Sequence, residues 1–242
     1  MFDAKRLLDQ FMGGQGGQGG QGGSSGGGDF LRGAGGGALA GGLAAILLGT
    51  KTGRKLGGEA LKLGGMAAVG ALAYKAYRDW QAGKQPAPAA PQQQPQQPQQ
   101  APVPMLPAPS GTPFNPSTPS EQQTLARHLL RAMIAAAKAD GHVDAQEQAR
   151  IFAEMDKLPL AADDKAFVMD ELRAKLDIDA VASAASTPEE AAEIYTASLL
   201  AIDVDNAAER GYLGMLAARL KLDDALVAHL QQSVAAATGR PA

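Results

Sequence analysis

The chain has 242 residues and a net charge of −3, but its composition is not uniform: Gly dominates the first third, Pro and Gln the middle, and only residues 117–242 have the make-up of a globular domain. Those 126 residues are enough for one ordinary core, since domains of this size remove roughly two-thirds of their unfolded surface from water. Residues 1–84 carry ten Lys/Arg against five Asp/Glu, a net of +5, whereas residues 117–242 carry twelve against twenty, a net of −8. A basic region beside apolar sequence suits anionic lipid, and an acidic domain is repelled by phosphate, which excludes nucleic acid as the expected partner. Cysteine is absent, which rules out disulfides, thiol catalysis and Cys-based zinc sites.

Residues 1–29 read as a short amphipathic helix followed by a Gly/Gln-rich spacer. Phe2, Leu7, Leu8, Phe11 and Met12 share one helical face and Lys5, Arg6 and Asp9 the other, the pattern of a surface- or partner-docking helix. Charges at Asp3, Lys5, Arg6 and Asp9 argue against a secretory signal, so uncleaved membrane insertion further along is the simpler expectation.

Residues 30–84 read as a Gly-rich, membrane-associated helical region. From Gly33 to Thr50 there are eighteen residues without a charge, bounded by Arg32 and Lys51. At 1.5 Å per residue this is near the minimum for a hydrocarbon core of ~30 Å. Gly33, Gly37, Gly41, Ala45, Gly49, Gly53 and Gly57 recur every fourth residue, a groove through which a second helix can approach closely, so self-association is expected there. A shorter apolar segment, Leu63 to Tyr74, lies between Lys62 and Lys75, and Tyr74, Tyr77 and Trp80 interleave with Lys75 and Arg78 as at a membrane–water interface. A hairpin and a single span with one surface-lying segment both fit, because the basic residues are nearly balanced between turn and flanks.

Residues 85–119 form an uncharged Pro/Gln-rich stretch, expected to be a disordered linker; as extended polyproline II, 35 residues at ~3.1 Å each reach about 100 Å. Residues 120–238 then show continuous helical periodicity. Ser120 with Gln123 caps a helix with Leu125, Leu129, Leu130, Met133 and Ile134 on one stripe, and Asp144 with Glu147 caps a second, which Pro159 ends. A third spans Asp163 to Leu176, and a short fourth follows Asp177. Thr187, Pro188 and Glu190 begin a fifth, Asn206 with Glu209 a sixth, and Asp223 the last. Runs of period two are missing. The fold class is therefore all-α, a compact bundle of about seven helices, and since every stripe it needs lies within 117–242, that fragment is expected to fold alone.

Two segments, AKADGHVDAQE at Ala137 to Glu147 and LAIDVDNAAE at Leu200 to Glu209, read as an internal repeat: each ends one helix, passes through an acidic turn and starts the next. Here the chain resembles the TerB-like tellurite-resistance family, marked by an Ala-x-x-Asp-Gly turn and a later Asp-x-Asp-x-x-x-Glu. The opening FDAKRLLDQF, the stretch GTKTGRKLGGEALKLGG and ALAYKAYRDW resemble YebE-type bacterial inner-membrane proteins of unknown function with a TerB-like C-terminal half. That resemblance implies a bacterial inner-membrane location with a cytoplasmic helical domain, and an acidic set that holds a metal ion. The matching positions are Asp140, Asp144, Glu147, Asp203, Asp205 and Glu209. Hard oxygen ligands on two turns suit Ca²⁺ or Mg²⁺, and His142 adds a nitrogen for a transition metal. Helix capping accounts for Asp144, Glu147 and Glu209 equally well, and no EF-hand loop is present.

Enzyme chemistry has no signature: there is no Walker loop, serine elbow or His-Glu-x-x-His, and His128 and His229 sit at helical spacing among apolar residues. The expectation is a non-enzymatic, membrane-tethered interaction or stress-response module with lipid and a protein as partners and no cofactor. The alternative is a domain that binds or senses a divalent cation.

Overall fold

The computed structural model describes residues 3–11, 65–84, 108–139, 141, 161–202, 204 and 206–239. Among the described residues the protein is all-helical: α1 (Ala4–Phe11), α2 (Gly65–Lys84), α3 (Pro119–Ala137), α4 (Ala162–Arg173), α5 (Ile178–Ala182), α6 (Pro188–Ala201), α7 (Ala207–Arg219) and α8 (Asp224–Thr238). The expected helix from Asp144 to Leu158, and the uncharged stretch from Gly33 to Thr50, lie outside the described residues.

Local chemistry sets the helix ends. Thr187 Oγ1 accepts the Glu190 N–H and Pro188 fills the first helical position, where a missing N–H costs nothing. Asn206 and Asp223 start α7 and α8 in the same way, and Gly239, at φ 67°, closes α8 in the left-handed conformation that glycine adopts without strain. One boundary differs from the expectation. The cap of α3 is Thr118, not Ser120: Pro119 takes the first turn, the Glu121 N–H bonds Thr118 Oγ1, and Glu121 Oε2 accepts the Thr118 hydroxyl at 2.7 Å. Helix α4 also stops short of Leu176, because Ala174 turns to extended backbone and the Lys138 ammonium caps the free carbonyls of Glu171 (2.9 Å) and Ala174.

The centre of the bundle is α3 against α6. His128 meets Glu190, and Ser198 donates to the Ala132 carbonyl, so position along the two helices increases together and they run parallel. Leu129, Leu130, Met133, Ile194, Tyr195 and Leu199 fill the space between and around them. Helix α1 packs on α3, α2 lies across α6 and α8, and α4 flanks α3.

The positions of α1 and α2 differ from the expectation of membrane contact. Ala4, Leu7 and Leu8 of α1 are buried in the same core as the bundle, and Lys5 N–H and Asp3 Oδ1 both bond Gln123 of α3 (3.2 and 2.7 Å). In α2, Met66, Ala68, Val69, Leu72, Ala73 and Ala76 are buried against protein, and Tyr74 and Tyr77 set their edges on Phe114 with centroids 5.6 and 5.5 Å apart. Trp80 donates its indole N–H to Asp223 at the start of α8. The physical reason is that an apolar face of this width is satisfied as well by a groove between helices as by lipid, and the segment 108–116 supplies the ring that the tyrosines cover. No helix among the described residues is long and apolar enough to cross a membrane.

Candidate functional site

Helices α3 and α6, which lead into the two acidic turns, finish at the same end of the bundle. Because α3 and α6 run parallel, the chain exits α3 at Ala137 and α6 at Ala201 side by side in direction, each heading into its turn. Of the six residues implied as ligands, Asp140, Asp144, Glu147, Asp203 and Asp205 lie outside the described residues. Glu209 sits in the first turn of α7, where its backbone N–H donates to Asn206 Oδ1 at 2.9 Å, which is the capping arrangement. The described residues alone contain no group of three or more His, Asp or Glu side chains placed to hold a metal ion.

A second acidic constellation, which the sequence reading passed over, stands at the other end of α6. Glu189, Glu190 and Glu193 rise from its first two turns. Glu190 is held on both oxygens: His128 Nδ1 lies 2.6 Å from Oε1, and the Ser186 N–H donates to Oε2 at 2.9 Å. Burial opposes its ionised form, but these two hydrogen bonds and the His128 charge together hold the carboxyl below its ordinary range. Glu189 bonds the Tyr77 hydroxyl of α2, whose acidity is lowered by burial first and by that carboxylate second. Glu193 has neither kind of help. It is 0% exposed, and among the described residues neither of its oxygens has a hydrogen-bond partner. Burial, with Glu190 and Glu189 nearby, pushes its carboxyl well above the usual range.

The element over Glu193 is α2, and the contact is closest at Gly70. A side-chain carbon there would stand 2.4 Å from the Phe114 carbonyl oxygen and 3.2 Å from Glu193 Oε1. Only a glycine admits this approach of helix to backbone. The sequence did hold a signal for Glu193: it is the single charge in the run Ala191 to Ile202, which is otherwise apolar apart from Tyr195, Thr196 and Ser198.

Two surface features complete the picture. A cleft of about 370 Å³ beside α3 and α5 is lined by Arg131, Lys138, Glu171 and Asp177, with Arg131 bonded to Glu171 at 2.6 Å. A more open groove of about 770 Å³ runs between Tyr77 and Trp80 of α2, the start of α6 and the α7–α8 junction. Lys84 lies over the Trp80 ring, 3.8 Å from its centre, and pairs with Asp223 at 3.3 Å.

A family model described as "Protein of unknown function (DUF533)" matches residues 33–234. The chain belongs to the DUF533 family. DUF533 is associated with TerB-like proteins, in agreement with the resemblance of the acidic turns. The DUF533 match spans residues 33–234, so α2 and the bundle fall within one family unit as they belong to one core. A protein from Yersinia enterocolitica, described as an uncharacterized protein in the ampR 5' region, is 30% identical over 108 residues, 45% of this chain and 78% of the relative. No solved structure matches.

Proposed function

We propose that this DUF533 protein is a membrane-tethered, non-enzymatic helical module of the YebE type, held at the inner membrane by residues 33–50 and presenting its acidic bundle to a protein partner in the cytoplasm. The observation that carries this reading is the eighteen-residue stretch without a charge, bounded by Arg32 and Lys51, which lies between two helices of one core, α1 and α2, and therefore enters and leaves the bilayer on the same side. A stretch fixed at a bilayer then keeps the bundle at the bilayer surface, where a tether through residues 85–119 would let it range about 100 Å. Fractionation with a carbonate wash tests it. The full-length chain is expected in the membrane pellet and a form lacking 33–50 in the supernatant; recovery of the full-length chain in the soluble fraction overturns the reading.

A second reading, that the acidic turns hold a divalent cation, is favoured by one observation: the parallel course of α3 and α6 directs both turns from the same end of the bundle. A ligand bound only by the folded state raises the melting temperature by mass action. On this reading millimolar Ca²⁺, Mg²⁺ or Mn²⁺ raises the melting temperature relative to chelator, and Asp140→Asn removes the rise. Identical melting in chelator and in cation leaves the turns as helix caps.

A further inference from the structure

Glu193 is hard to account for as packing. A carboxyl with no exposure and no hydrogen-bond partner among the described residues is one of the most costly groups a core can hold, and it lies mid-helix between Ala192 and Ile194, both fully buried. A leucine would fill similar space without that cost. Against it lies α2, whose Gly70 approaches both the carboxyl and the Phe114 carbonyl.

Among the described residues, the groups around it supply no positive charge. From its own helix Glu189 and Glu190 face it, and both disfavour its ionised form. Helix α3 contributes His128, which is already engaged by Glu190. Helix α2 contributes Gly70 and, a turn further on, Tyr74 and Tyr77, whereas its Lys75 pairs with Asp79 on the outer face and its exposed Arg78 lies over the Tyr74 ring. Helix α8 meets α6 through Gln231, which donates to the Tyr195 hydroxyl, and residues 108–116 carry no ionisable side chain. Among the described residues no cation faces Glu193 while α2 is in place, and a proton neutralises it. Water reaches the carboxyl if α2 leaves.

We propose that Glu193 is a proton-operated latch for α2: the neutral carboxyl lets the helix seat Gly70 on α6, and its ionisation drives α2 off the bundle and bares the apolar face that Val69, Leu72, Ala73 and Ala76 share. Nothing in this latch depends on where residues 33–50 reside. The sign follows from linkage. The seated state binds a proton that the released state gives up at the ordinary glutamate value of 4.5, so the seating equilibrium weakens as pH rises above that value, by roughly tenfold per unit, until the seated carboxyl itself ionises.

Trp80 is the single tryptophan of the chain and reports α2 directly, since its indole lies against Asp223 of α8. The experiment is a pH series on the full-length chain, following Trp80 emission and hydrogen exchange of the 65–84 amides corrected for the intrinsic rate. In the wild type, protection of α2 is expected to fall by roughly tenfold per pH unit above about 4.5, with a red shift of Trp80 at the upper end. Glu193→Gln keeps the shape without the charge and is expected to hold α2 protected throughout. A Glu193→Gln protein with the wild-type pH profile overturns the latch, as does wild-type protection that is independent of pH. If the variant fails to fold, the carboxyl carbon resonance of Glu193 in the wild type decides the question: a group titrating at its ordinary value while α2 stays protected overturns the proposal, and one titrating far above it, together with loss of α2 protection, supports it.

Discussion

Single residues in this molecule have effects that their types alone do not foretell. Gly70 is a helix-interior glycine, and alanine there gains up to about 1 kcal/mol of helix propensity. Against that gain stands a contact of 2.4 Å with the rigid Phe114 carbonyl, and overpacking of this kind costs about 1–3 kcal/mol. Gly70→Ala is expected to destabilise the protein in urea unfolding; a stabilised variant shows that residues 108–116 yield to α2. Lys138 makes a comparable case. Its buried ammonium caps α4, so Lys138→Met leaves two carbonyls without a donor and is expected to cost about 1–3 kcal/mol, read as a lower urea midpoint. Burial also lowers the affinity of this lysine for its proton, with the Glu171 charge opposing. The two glutamates of α6 act in opposite directions on pH: Glu190, held low, contributes stability that is lost as pH falls below the ordinary glutamate value, whereas Glu193 weakens the fold as pH rises above it.

At the scale of elements, most helices were legible because their ends are chemical. Thr187-Pro188 with Glu190, Asn206 with Glu209 and Asp223 each mark a helix start by offering a side-chain acceptor to an orphan N–H, and each is a cap in the structure. Thr187→Ala is accordingly expected to lower stability by about 1 kcal/mol in thermal or urea unfolding. Partnership was less legible. A stripe such as Val69, Leu72, Ala73 and Ala76 states that a helix has an apolar face but not whether lipid or protein covers it, and the aromatic residues at 74, 77 and 80 fit an interface belt as well as they fit Phe114 and Asp223. The candidate site was half legible for the same reason. The acidic turns announce themselves by composition, whereas the isolation of Glu193 depends on which helix lies over it.

At the scale of the whole molecule, the core draws on three separated parts of the chain: α1, α2 and residues from 108 onward. Full burial of Leu7, Leu8, Val69 and Leu72 contributes about 1.5–3 kcal/mol each, a sum comparable with the about 5–15 kcal/mol by which domains are stable at all. The fragment 117–242 lacks these side chains and Phe114 as well. Contrary to the reading of that fragment as self-sufficient, it is expected to melt at much lower temperature than the full chain or without a cooperative transition in circular dichroism. A fragment with the melting temperature of the full chain shows that α1 and α2 are accessories.

Because Lys84 ends α2 on the bundle and Ala108 and Phe114 are buried in the same core, residues 85–107 join two portions of one folded body. The consequence is one of molecularity. In the intact chain, seating α2 is an intramolecular event governed by an effective concentration, and its midpoint does not depend on how much protein is present. Cleaving the backbone between 85 and 107 turns the same event into a bimolecular one. The two pieces, 1–84 and 108–242, are then expected to copurify at high concentration, separate on dilution, and melt at a temperature that rises with the concentration of either.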